Sequence, residues 1–168
     1  MDMLSFIELN LKETLKRIDM STPAPSGYPY YNTVTIVNYT DEASGIDYGK
    51  YPMLNVYLEP GEDTKRFTAN SYINQDRFKI EGKVALLDES DNPRFDINVK
   101  MNELLSDIKA VLGNHPTLNC SCDDCFIINS SREYNGNKAD VFRVGQLNVW
   151  VTVKYSQLQN NPNKRCVV

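Results

Sequence analysis

Ile97–Gly113 reads INVKMNELLSDIKAVLG. Within it Ile97, Met101, Leu104, Leu105, Ile108 and Leu112 recur at steps of three and four, which gathers them on one side of a helix. Asp96 or Asn98 can cap the start, and Gly113 stands where a C′ glycine belongs. A second stripe lies near the N-terminus: Leu4, Ile7, Leu11, Leu15 and Ile18, with Glu8, Lys12, Glu13, Lys16 and Arg17 on the polar side. STPAPSG (Ser21–Gly27) ends that helix, because two prolines and a glycine cannot continue it.

Between and after the helices the periodicity falls to two. TVTIVNY (Thr33–Tyr39) is rich in β-branched residues. YPMLNVYLE (Tyr51–Glu59) alternates, with Met53, Asn55, Tyr57 and Glu59 on one face and Leu54, Val56 and Leu58 on the other. PGED (Pro60–Asp63) reads as a turn. RFKIEGKVALLDE (Arg77–Glu89) begins as an alternation in which Gly82 suggests a bulge or bend, and Asp91, Asn92 and Pro93 close it. YNGN (Tyr134–Asn137) carries an Asn-Gly turn signal. Beyond it Leu147, Val149, Val151 and Val153 alternate with Asn148, Trp150, Thr152 and Lys154 as a long, half-buried strand. LQNNPNKRCVV reads as a polar tail, mobile until something orders it.

The order helix, strands, helix, strands predicts an α+β fold: a curved, mainly antiparallel sheet packed on two helices. The chain's 168 residues suit one domain, which typically has roughly 100–200 residues. That domain spans residues 1–168, with loops at about 23–50 and 114–126 and a tail at 157–168. Net charge is −4, from 18 basic and 22 acidic residues, and no Lys/Arg run forms the patch expected of a phosphate-gripping protein. MDMLSFIELNLKETLKRID carries charges through its apolar pattern, so it reads as neither a signal peptide nor a membrane span. A reducing cytoplasm is the expected site of synthesis.

Catalytic signatures are scarce. No GxSxG, HExxH, Walker or GxGxxG pattern occurs, so no enzyme is expected. His115 follows the second helix, where a histidine more often caps than catalyses. Asp123 and Asp124 are adjacent on a loop, a poor geometry for paired acid–base work. Asn38-Tyr-Thr and Asn129-Ser-Ser are chance sequons. NCSCDDCF (Asn119–Phe126) is the most conspicuous chemistry. Cys120, Cys122 and Cys125, with Cys166 as a distant fourth, could hold a structural zinc that pins a loop. Reduced thiols on a loop, or a disulfide formed outside the cell, are the other readings; the segment precedes a strand, unlike a thioredoxin motif. Tyr28, Tyr30, Tyr31, Tyr39, Tyr48 and Tyr51 either flank strands or form a binding surface. Trp150 points away from the aliphatic face, toward a second layer or a subunit contact.

The ordered pattern resembles the tail-terminator (tail-completion) family of long-tailed bacteriophages, whose best-known members are lambdoid minor tail proteins. The likeness rests on the N-terminal helix, YPMLNVYLE (Tyr51–Glu59), RFKIEGKVALLD (Arg77–Asp88), a helix with a central Asp, MNELLSDIKAVL (Met101–Leu112), and LNVWVTVKY (Leu147–Tyr155). The resemblance implies a virion structural protein, made in the host cytoplasm, that forms a ring, typically a hexamer. Such a ring caps the tail-tube protein and offers a surface to neck or head-completion proteins, while DNA passes through it unbound. No cofactor and no membrane belong to that picture. The extra length, in Pro23–Lys50, the cysteine loop and the tail from Gln157, is a departure from the family. Another neck, head-completion or tail-tube protein, or a non-viral zinc-stabilised interaction module, are the alternatives.

Overall fold

The structure is a computed structural model that describes residues 2–24, 27–35, 37–38, 51–68, 71–87, 93–135, 142–158 and 161–165. Helix α1 spans Met3–Leu15, β1 Val37–Asn38, β2 Met53–Thr68, β3 Ser71–Leu87, α2 Pro93–Asn114, β4 Asp124–Asn135, β5 Phe142–Leu158 and β6 Asn161–Arg165. The expected α+β architecture is present. Two hairpins, β2–β3 and β4–β5, join through β3 and β5 in one sheet of order β1-β2-β3-β5-β4, with β6 also pairing β5. All pairings are antiparallel except β1 with β2. The central β3–β5 ladder runs in unbroken register from Ser71↔Leu158 to Leu87↔Phe142.

Side-chain alternation makes this sheet two-faced. Leu54, Val56, Phe78, Ile80, Leu147, Val149, Val151 and Val153 are all fully buried beneath the helices. From α2 the stripe Ile97, Met101, Leu104, Ile108 and Leu112 meets them; from α1, Ile7, Leu11 and Leu15. Asp2 caps α1, its carboxylate accepting from the Ser5 backbone N–H at 2.8 Å and the Ser5 hydroxyl at 2.8 Å. Such a cap contributes about 1 kcal/mol.

Several elements depart from the sequence reading. Helix α2 starts at Pro93, not near Asp96, since proline suits the first helical position where its missing N–H is not needed. Gly113 lies inside the last turn of α2, without the left-handed φ that Gly27 adopts at 81°. Pro60–Asp63 is not a turn: β2 passes through it with a register shift between Glu59 and Asp63, as proline permits on an outer strand. The strand expected at Thr33–Tyr39 is reduced, among the described residues, to Val37–Asn38. The predicted polar tail is also partly structured, because β5 continues to Leu158 and β6 folds back on it. Lys12, placed on the polar face by its charge, is buried at 2% exposure and pairs with Glu8 at 3.4 Å. Burial lowers its pKa, with Glu8 opposing.

Gly82 makes no bulge; it pairs in register with Leu54 and Leu147. A Cβ there would sit 2.7 Å from Leu104 Cδ2. At Gly145 it would meet Ile97 Cγ2 at 2.5 Å and Met101 Sδ at 2.9 Å. These two glycines let α2 descend onto the central strands. Overpacking costs about 1–3 kcal/mol, so Gly145→Val should lower stability by that order in urea denaturation. Gly113→Ala, with nothing within 4 Å of its new Cβ, should instead raise stability by about 0.5–1 kcal/mol.

Candidate interaction surfaces

The cysteine segment is drawn partly into the core. Cys120 is exposed, whereas Cys122 and Cys125 are buried at 0% and 4% exposure. The Cys122 thiol donates to the Pro116 carbonyl at 3.7 Å, and burial pushes the Cys125 thiol well above its ordinary pKa. Cys166 lies outside the described residues. Among the described residues no three His, Cys, Asp or Glu side chains gather as a metal would need; Cys122 and Cys125 act as small apolar groups of the hydrophobic core. Backbone strain accompanies this arrangement: Leu118, Asn119 and Cys120 have φ of 44°, 58° and 64°, a left-handed run that disfavours side chains with a Cβ. Arg17 braces it, donating to Asn119 Oδ1 at 3.0 Å and lying 3.2 Å from His115 Nε2. Burial and the Arg17 charge lower the His115 pKa. Among the described residues this ring meets a cation and not the carbonyls a cap would bind. Cys120→Ser should leave stability within about 0.5 kcal/mol, while Cys125→Ser should cost about 1–3 kcal/mol by burying a hydroxyl; chemical denaturation separates the two.

The tyrosines divide. Tyr28 and Tyr31 are 77% and 61% exposed, while Tyr30 is buried; Tyr39 and Tyr48 fall outside the described residues. A tight turn presents them. Gly27 donates to the Ala24 carbonyl at 2.8 Å, and Ala24 donates to the Tyr28 carbonyl at 3.1 Å. Together with Ser106 and Ala110 of α2 they line a groove of ≈ 480 Å³. Asp107 also lines it, at 2% exposure. Its carboxylate accepts from Tyr31 N at 3.0 Å, Asn32 N at 2.9 Å and Asn32 Nδ2 at 2.8 Å. One buried side chain thus fastens the tyrosine segment to α2. Composition could not assign this role; the available signal was an aspartate between Leu104 and Ile108 on an apolar stripe.

Burial, opposed by the Tyr31 and Asn32 hydrogen bonds, raises the Asp107 pKa above its ordinary 3.8. The folded chain then holds this proton more tightly than the unfolded one. The stability it contributes is fully present below the unfolded value and lost as pH rises through the raised one. Thermal melts should therefore show wild type losing ground to Asp107→Asn as pH climbs through the acidic range; a constant difference would contradict this. Asp107→Ala should cost about 1–3 kcal/mol at neutral pH.

The sheet's other face carries a polar layer. In register across four strands lie Asn55, Glu81, Asn148 and Ser131. Glu81 meets Lys79 at 3.6 Å and Lys83 at 3.4 Å. Gln146 donates to Glu81 at 3.1 Å and to Asn148 at 3.2 Å, and Asn148 donates to Glu133 at 3.2 Å. Trp150 lies on this face, as its alternation predicts, half-buried and donating its indole N–H to Glu59 at 2.8 Å. Asn55 is fully buried with neither amide atom bonded, an unreturned desolvation cost. No described helix is long and apolar enough to cross a membrane. No protein-family model matches the chain, and no curated protein matches it either.

Proposed function

We propose that this chain is a virion structural protein, a ring-forming subunit of the tail-terminator or neck class. In that role it caps a tail tube, offers a joining surface to neck or head-completion proteins, and lets DNA pass through the ring. The observation that supports this best is the one-sided sheet. Both helices pack on one face, and the other bears a layer in which Lys79 and Lys83 both pair with Glu81. A duct wall for DNA needs that chemistry, because unpaired lysines would bind phosphates and release counterions. The helix–hairpin–helix–hairpin order supports the same class, as does the net charge of −4. Heterologous contacts that close produce rings.

The test is mass photometry with negative-stain imaging, on the chain alone and with tail-tube protein. A ring, with six copies expected, supports the reading. A strictly monomeric mass at high concentration, with no association with tail-tube protein, contradicts it.

A further inference from the structure

We infer that the groove between the tyrosine segment and α2 is a docking site for an arginine side chain carried on an extended segment of a partner protein. The inference is independent of the ring reading, because it concerns α2 and the segment packed on it, not the polar face of the sheet.

Shape is the first observation. The groove encloses ≈ 480 Å³, within the roughly 300–1,000 Å³ of ligand pockets. Tyr28, Tyr31 and Ser106, all exposed, line it. Its tyrosine wall is held in place. Asp107 accepts from the Tyr31 and Asn32 backbone, and the Ala24–Tyr28 turn closes through two backbone hydrogen bonds. A wall ordered before binding loses little freedom when a ligand arrives.

Charge is the second. Asp107 supplies a carboxylate, and none of the described lining residues is Lys, Arg or His. That carboxylate accepts three hydrogen bonds of the roughly four it can take, so it has capacity for one more donor. Burial is the chief cost of its negative charge, and Glu103 adds to it, although Lys100 answers Glu103 at 3.7 Å. Arg17, whose charge reaches Tyr30, is engaged with His115 and Asn119. A cation entering the groove offsets the cost of burying Asp107.

The lining chemistry is the third. Tyrosine rings attract a cation through their quadrupole, and the carboxylate adds a full opposite charge. A guanidinium suits this pairing better than an ammonium, being planar, weakly hydrated and able to stack on aromatic rings. Pro29 and Ala110 line the same groove and offer apolar surface to its methylene stem.

Saturation-transfer NMR on the full-length chain tests this with a capped pentapeptide, one arginine between pairs of glycines, and its glutamine counterpart. Saturable binding of the arginine peptide is expected, and at least several-fold weaker binding of the glutamine one. Tyr28→Ala should weaken the arginine peptide about two- to fivefold. Ser106→Arg, which sets a cation of the chain's own at the groove, should abolish binding. Both positions are exposed, so circular dichroism and thermal melts should match wild type. No saturable binding of the arginine peptide would overturn the proposal. So would equal binding of the glutamine peptide, which makes the groove a neutral peptide site, or undiminished binding by Ser106→Arg, which puts the contact elsewhere.

Discussion

Helix α2 can lie on this sheet because two strands give up their side chains beneath it. Gly82 on β3 and Gly145 on β5 leave the space that Leu104, Ile97 and Met101 occupy. Interiors pack at near-crystalline density, so a Cβ at either point would lift the helix or displace those side chains. The consequences spread outward. With α2 low on the central strands, its far side faces the Tyr28–Tyr31 segment, and Asp107 reaches that backbone from within the core. The C-terminal end of α2 leads into the strained turn at Leu118–Cys120, beyond which Cys122 and Cys125 are buried in the core.

Both helices lie on one side, so the remaining face must satisfy itself. Apart from Asn55, it does so with charge pairs and amides held between strands. β2, β3 and β5 run through 16, 17 and 17 residues, beyond a usual strand of roughly 5–6.

The sequence made the helices and the aliphatic face of β5 readable because their periods are strong and unbroken: Ile97 to Leu112 at helical spacing, Leu147 to Val153 at every second residue. Trp150 was legible for the same reason. What it concealed were features set by partners distant in the chain. Gly82 looks like a strand defect until Leu104 is seen above it. Pro60-Gly61 looks like a turn because local chemistry favours one, and the ladder with β3 overrides it. Lys12 reads as solvent-facing by charge, yet Glu8 accompanies it inward. The cysteines drew attention by spacing, but spacing does not say which thiols face the core. Asp107 anchors a segment about 75 residues away in sequence, a pairing that no local pattern encodes.

The central claim is that one packing, α2 on Gly82 and Gly145, also holds the tyrosine segment in place through Asp107. Hydrogen–deuterium exchange of Gly145→Val against wild type tests it most directly, since amides exchange faster where local packing opens. The account predicts faster exchange in α2 and, together with it, at the Tyr31 and Asn32 amides that Asp107 accepts from. Faster exchange in α2 with those two amides unchanged would contradict it.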